Sequence, residues 1–210
     1  MALIHVLFLC LLTKVANLAP LLDSTLRCEC HSTSTPSPHD LKKDIITAAN
    51  AIIHKVQEVM RCISSQNILT VAEINSIKNL TALKIASLPV KQMSCNTEAY
   101  KTAFQDYFTC LMAFLSRLHV VDKEVKSISF EMQAAMEAVK FLLGKVRYAL
   151  TCVNVELASL LPRNIPISPA GDEKDTGKRA YAHLHELELT MYNFTNDLKQ
   201  TCNSGQLMVC

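Results

Sequence analysis

Four stretches of this chain, each longer than twenty residues, carry apolar side chains at steps of three and four. That spacing lines one face of an α-helix and does not line a strand, where alternate residues share a face. Helix A is expected over about 39–64, with Leu41, Ile45, Ala48, Ile52, Val56, Val59 and Ile63 inward and Lys42, Lys43, Asp44, Lys55 and Glu58 in water. Helix B places Tyr100, Phe104, Tyr107, Leu111, Phe114 and Leu118 on one stripe, widened by Phe108 and Leu115. Helix C carries Val125, Ile128, Met132, Ala135, Val139, Leu142, Val146, Leu150, Val153, Leu157 and Leu160. Taken to its last apolar residue it is roughly 55 Å long at 1.5 Å per residue. Helix D is expected over about 177–202, with Tyr181, Leu184, Leu187, Met191, Phe194 and Leu198 inward.

The connections are as informative as the helices. Residues 31–38 form a polar, proline-containing stretch that cannot hold a helix, and Pro38 with Asp40 sets up the start of helix A. About thirty residues, 66–96, separate A from B, with Val71, Ile74 and Ile77 able to form a short helix before Pro89. A connection of this length in a small domain is functional or a crossover. The B to C joint is a few residues around Val120–Asp122, where Asp122 can cap helix C. So tight a joint makes B and C antiparallel neighbours. The C to D connection, 162–176, holds three prolines, Gly171 and the charged run Asp172–Asp175. Extended at about 3.3 Å per residue it can return along a helix. The expected fold is an all-α, long-chain four-helix bundle with up-up-down-down topology, which long crossovers distinguish from the up-down-up-down kind.

The first residues, Met1 to Leu12, are nearly all apolar and are followed by Lys14, Ala16 and Ala19. The run is too short to span a bilayer and suits a secretory signal peptide over 1–19, leaving 20–210 as the bundle domain. A buried helix is the competing reading. Of nine Cys, only Cys10 falls in the leader. The other eight, Cys28, Cys30, Cys62, Cys95, Cys110, Cys152, Cys202 and Cys210, form an even set, as a disulfide framework in an oxidising compartment would. The sequons Asn79-Leu-Thr81 and Asn193-Phe-Thr195 agree with secretion as a glycoprotein, and Asn193 lies off the inward stripe of helix D. In a parallel-pair bundle every cysteine of the eight except Cys62 and Cys110 falls toward one end. Cys28 or Cys30 with Cys152, and Cys95 with Cys202, are then feasible bridges among 105 possible pairings.

The formal net charge of +2 gives no support to nucleic acid or an anionic membrane as partner. Motifs for catalysis are missing too. No Glu-x-x-His pair, His-Glu-x-x-His or Gly-x-Ser-x-Gly occurs, and four Gly leave little for a phosphate loop. His183 and His185 are two apart and point to different sides of a helix, so they are expected as surface residues and not as metal ligands. The chain is therefore expected to be no enzyme and to need no metal or cofactor. Lys43, Glu58 and Arg61 on helix A and Arg147 on helix C are outward candidates for binding a partner, with ordinary surface charge as the bland alternative.

With four long helices, two long connections, Cys28 or Cys30 before A, Cys95 before B, Cys152 late in C and Cys202 late in D, the chain resembles the interleukin-6 family of long-chain helical cytokines. The likeness covers nearly the whole chain after the leader and is nearest to the leukaemia inhibitory factor and oncostatin M group. Asp175-Thr-Gly-Lys-Arg-Ala-Tyr181 is similar to that group's entry into helix D. There the group carries a Phe-x-x-Lys pair for a second receptor. Tyr181 and Leu184 occupy those positions here, so Tyr181 would supply the aromatic anchor and Lys178 or Arg179 the cation. The resemblance implies bridges from the N-terminal cysteines to helix C and from the A to B region to helix D. It further implies a secreted, monomeric ligand that bridges cytokine receptor ectodomains, one of them the shared glycoprotein 130 type, and triggers kinase and transcription-factor signalling. A secreted four-helix inhibitor or lipid carrier is the alternative.

Overall fold

The computed structural model describes residues 38–86, 97–152, 155–157, 160 and 173–200, all within one compact unit, Pro36–Cys210. The expected leader, Cys28, Cys30, Cys95, Cys202, Cys210 and the side chain of Tyr100 lie outside the described residues. Among those described, the chain is all-helical, with five α-helices, one 3-10 turn and no strand, compatible with a helical bundle. The helices are α1 (Pro38–Ser65), α2 (Val71–Ala86), α3 (Thr97–Glu124), α4 (Ser129–Cys152) and α5 (Glu173–Gln200), with the 3-10 turn Lys126–Ile128 ahead of α4. None of the described helices is long and apolar enough to cross a membrane.

The four stripes are the core. Every residue expected inward on helix A is buried in α1, and the same holds for Tyr181 to Leu198 in α5. In α3 the stripe from Phe104 to Leu118 and the flanking Phe108 are buried, while Leu115 is half-buried. Phe104 meets Phe194 edge-on with ring centroids 5.7 Å apart, and Tyr107 lies tilted on the same ring at 4.4 Å. Burying each such ring contributes about 1.5–3 kcal/mol, so this cluster pins α3 to α5. The Tyr107 hydroxyl donates to Asp197 at 2.9 Å, which satisfies its polar end. α4 packs on α1 and α3, and α5 packs on α1, α2 and α3.

Local chemistry sets the boundaries. Pro38 is the first residue of α1, a position where its missing N–H costs nothing. α1 ends where Asn67 takes a left-handed φ of 54°, a conformation that Asn tolerates better than most residues. α2 begins with a reciprocal capping box. The Thr70 N–H donates to the Glu73 carboxylate at 3.0 Å, and the Glu73 N–H donates to the Thr70 hydroxyl oxygen at 3.3 Å.

Three expected boundaries shift. The turn between helices B and C falls at Val125–Ile128, not Val120–Asp122, because Val121 and Val125 are buried and prolong the α3 stripe beyond Asp122. Asp122 still serves α4, accepting from the Ser129 hydroxyl at 2.8 Å and from the Gln133 amide. α4 ends at Cys152 and not near Leu160. A six-to-one hydrogen bond from the Val155 N–H to the Leu150 carbonyl, 3.0 Å, closes it, and Leu157 and Leu160 are half-exposed. α5 starts at Glu173, four residues earlier than expected, so the acidic run opens the helix instead of preceding it. Acids there suit the positive end of the helix dipole.

Candidate protein-docking surface

The wet faces of α1 and α4 adjoin. Asp44 accepts from Lys145 at 2.9 Å, and Gln66 donates to the Ser127 carbonyl at 3.4 Å, joining the two helices near both ends. On the outer side of α4 two rings stand in water: Phe130 is 85% exposed and Phe141 60%. They are eleven residues apart, which is about three helical turns and roughly 16 Å, so they share one line down the helix. The Lys145 ammonium sits 5.5 Å above the Phe141 ring, a cation–π contact. Glu137, between the rings, takes a hydrogen bond from Lys140 at 2.7 Å. A solvated helix face has no need of two exposed phenylalanines, and aromatic side chains rimmed by charge are what protein partners bury.

Sequence reasoning missed both rings. Their signal was available: neither fits the stripe Ile128, Met132, Ala135, Val139, Leu142, so both had to point away from the core.

Of the candidates named on α1, Lys43 and Arg61 are exposed and Glu58 is half-buried. Glu58 accepts from Lys55 at 2.8 Å and faces His54 at 3.3 Å. The Lys55 hydrogen bond, more than any other influence, holds its carboxyl below the ordinary value. Arg61 folds back to the Gln57 carbonyl at 3.3 Å. Arg147 is half-buried and does not join them. It lies two residues, about 200° of rotation, beyond Lys145, which faces α1, and so belongs to the other flank of α4.

The entry to α5 differs from expectation. Tyr181 is buried, 4% exposed, and Leu184 is fully buried. Tyr181 is therefore part of the core and presents no anchor to a partner. Arg179 is bound to Glu124 of α3 at 2.6 Å, and Lys178 lies 3.5 Å from Glu73 of α2 and 3.7 Å from Asp175. Lys174 binds Glu73 as well, at 2.9 Å. With the Thr70 N–H as the largest influence and Lys174 next, the Glu73 carboxyl is lowered to about 2. Both proposed cations are thus already paired inside the molecule.

The histidines expected at the surface are not there. His185 is 8% exposed, and its Nδ1 contacts the hydroxyl of Thr81 on α2. His183 lies 3.8 Å from Glu186, which makes a buried ion pair with Arg117 of α3 at 2.7 Å. The physical reason is the position of α5, which packs on three helices. Such a helix buries its polar flanks along with its apolar stripe, and the buried polar groups then pair.

Cys62 and Cys110 are thiols, so these two members of the expected disulfide set are unbridged in the structure. The Cys62 thiol is pushed up by burial first and by the neighbouring Glu131 carboxylate second. Cys152 is disulfide-bonded. Both sequon asparagines, Asn79 on α2 and Asn193 on α5, are exposed. No family model, characterised protein or solved structure matches the chain.

Proposed function

We propose that this chain is a secreted helical cytokine of interleukin-6 type that docks on cell-surface receptor ectodomains through the outer face of α4 and the adjoining edge of α1. The single observation that carries the docking site is the exposed pair Phe130 and Phe141 on one line of α4. Rigid helices that present aromatic anchors inside a charged rim suit a receptor groove or flat face.

The contacts between helices support the up-up-down-down reading. From Asp44–Lys145 to Gln66–Ser127, residue numbers rise on α1 as they fall on the α4 side. The same opposition runs through Tyr107–Asp197, Arg117–Glu186 and Glu124–Arg179 between α3 and α5. Gln57–Glu188, with the Ile68 and Leu69 side chains against Gly177, gives it for α1 and α5. α1 and α3 then point one way and α4 and α5 the other, the arrangement of parallel pairs that long-chain cytokines use. The long A to B connection, part of which forms α2, has the length that such a crossover needs.

The test is binding of the mature protein to a panel of cytokine receptor ectodomains, followed by phosphorylation in cells that carry the receptors bound. A double variant, Phe130→Ser with Phe141→Ser, should keep its helicity and unfolding midpoint and lose most of the binding. Absence of binding and phosphorylation at saturating wild-type protein overturns the cytokine reading. Undiminished binding by the double variant overturns the choice of face.

A further inference from the structure

Among the described residues, α2 has its substantial packing against one helix. It packs along α5, and three contacts of different chemistry hold this region to that helix. Ahead of α2, Ile68 and Leu69 press on α5 where Gly177 has no side chain. In the first turn of α2, Glu73 binds Lys174 and Lys178. Further along, Thr81 meets His185. The outer side of the helix is loosely committed, with Val71 74% and Leu80 66% exposed. Of the α2 side chains described, Thr81 alone is buried; a segment with few buried apolar contacts opens at low cost, so its polar contacts bear on whether it stays down.

We propose that α2 is an acid-released strap: uptake of a proton by the His185 imidazole frees the second half of α2 from α5, while the Glu73 end remains attached as the hinge. This device is independent of the receptor reading.

The surroundings of His185 favour the neutral ring. It is buried against α5's neighbours, and the carboxylates near it are already engaged. Glu188, 4.0 Å from Nε2, accepts a 2.7 Å hydrogen bond from Gln57 of α1. Glu186 is bound to Arg117 of α3. From α2 itself the charged group facing the ring is Lys78, which repels a second positive charge. Burial is the largest influence and Lys78 adds to it, together outweighing the pull of Glu188 and Glu186, so the docked imidazole lies below its ordinary value of 6.5. The Thr81 hydroxyl also has the Ile77 and Lys78 carbonyls at 2.9 and 3.1 Å, so it keeps hydrogen-bond partners within α2 once the helix lifts.

The sign follows from linkage. A ring that binds its proton less readily when docked than when released makes docking fully favourable above its ordinary value, and that contribution is lost as pH falls through the lowered one. The hinge contact does not titrate in the same window, because the Glu73 carboxyl sits at about 2. Acid therefore loosens one end of the strap and leaves the other.

The experiment is amide hydrogen exchange on the intact, disulfide-bonded protein at about pH 7.4 and about pH 5.5, corrected for intrinsic exchange rates, a span that brackets an ordinary imidazole. Exchange over residues 78–86 should rise several-fold in acid, toward a linkage ceiling of about tenfold, with residues 71–75 and α4 changing far less. His185→Gln should abolish the rise, and His119→Gln should leave it intact. Equal exchange at the two pH values, or a rise that persists in His185→Gln, overturns the proposal. A second readout needs no variant: the titration of the His185 ring followed by NMR must share its midpoint with the opening of α2, and a separation of more than about one pH unit overturns it equally.

Discussion

The buried ion pair between α3 and α5 offers a quantitative test of how this core is held. Arg117 and Glu186 side chains are 4% and 7% exposed and meet at 2.7 Å. Arg117→Met alone strips the cation from a carboxylate that stays buried, which costs about 3–5 kcal/mol. Against a total of about 5–15 kcal/mol for a domain, that is a large fraction. With a urea m-value of about 2 kcal/mol per molar, the midpoint should fall by about 1.5–2.5 M, read by far-UV circular dichroism under non-reducing conditions. The pair itself is worth far less than its breakage. Among the described residues the buried Arg117 Nε has no hydrogen-bond partner, so the guanidinium recovers only part of its lost hydration, with Phe114 stacked 5.6 Å from its centre. Arg117→Met combined with Glu186→Leu should therefore return to within about 1 kcal/mol of the parent or exceed it. A single variant that loses less than about 1 kcal/mol, or a double variant that is the sum of two losses, refutes the reasoning.

Two further outcomes are expected. In Gly177→Ala the new Cβ would overlap Ile68 Cγ2. The roughly 1 kcal/mol gained in helix propensity should lose to about 1–3 kcal/mol of overpacking, and adding Ile68→Ala should recover the loss; a stabilised Gly177→Ala protein counts against the close approach. Alkylation of the unreduced protein should modify Cys62 and Cys110 once the chain is denatured. In the native state it should spare the buried Cys110 and label Cys62 slowly, and a disulfide-linked peptide containing either residue contradicts the two thiols.

The burial of the helices was legible because burial in a bundle follows the period of the helix, and the stripes from Leu41 to Ile63 and from Tyr181 to Leu198 needed only that rule. The turn after α3 was not, because Asp122 looks like a cap while Val121 and Val125 keep the stripe running past it. The α2 start carried a readable sign, Thr70-Val-Ala-Glu73, that went unused. The polar interior of α5 was hidden for a different reason. Arg117 and Glu186 lie on separate helices, and a lone sequence gives no way to match them, so each reads as a surface charge until the fold brings them together. Arg179 and Glu124 repeat the pattern.

The distribution of these pairs bears on which surface a partner can use. α4 and α5 both pack on α1 and α3, so they stand at opposite corners among the described residues. The α5 corner carries α2, both exposed sequon asparagines and cations already bound to Glu73 and Glu124. A ligand reaching Lys178 there must compete with Glu73 and work against the strap, and one reaching Tyr181 must open the core. At the α4 corner the rings of Phe130 and Phe141 are already in water, and covering them breaks nothing. Burial of two phenylalanines returns about 1.5–3 kcal/mol each with no internal pair to exchange. On these grounds the first docking event belongs to α4, and any second partner at the entry to α5 depends on the state of α2.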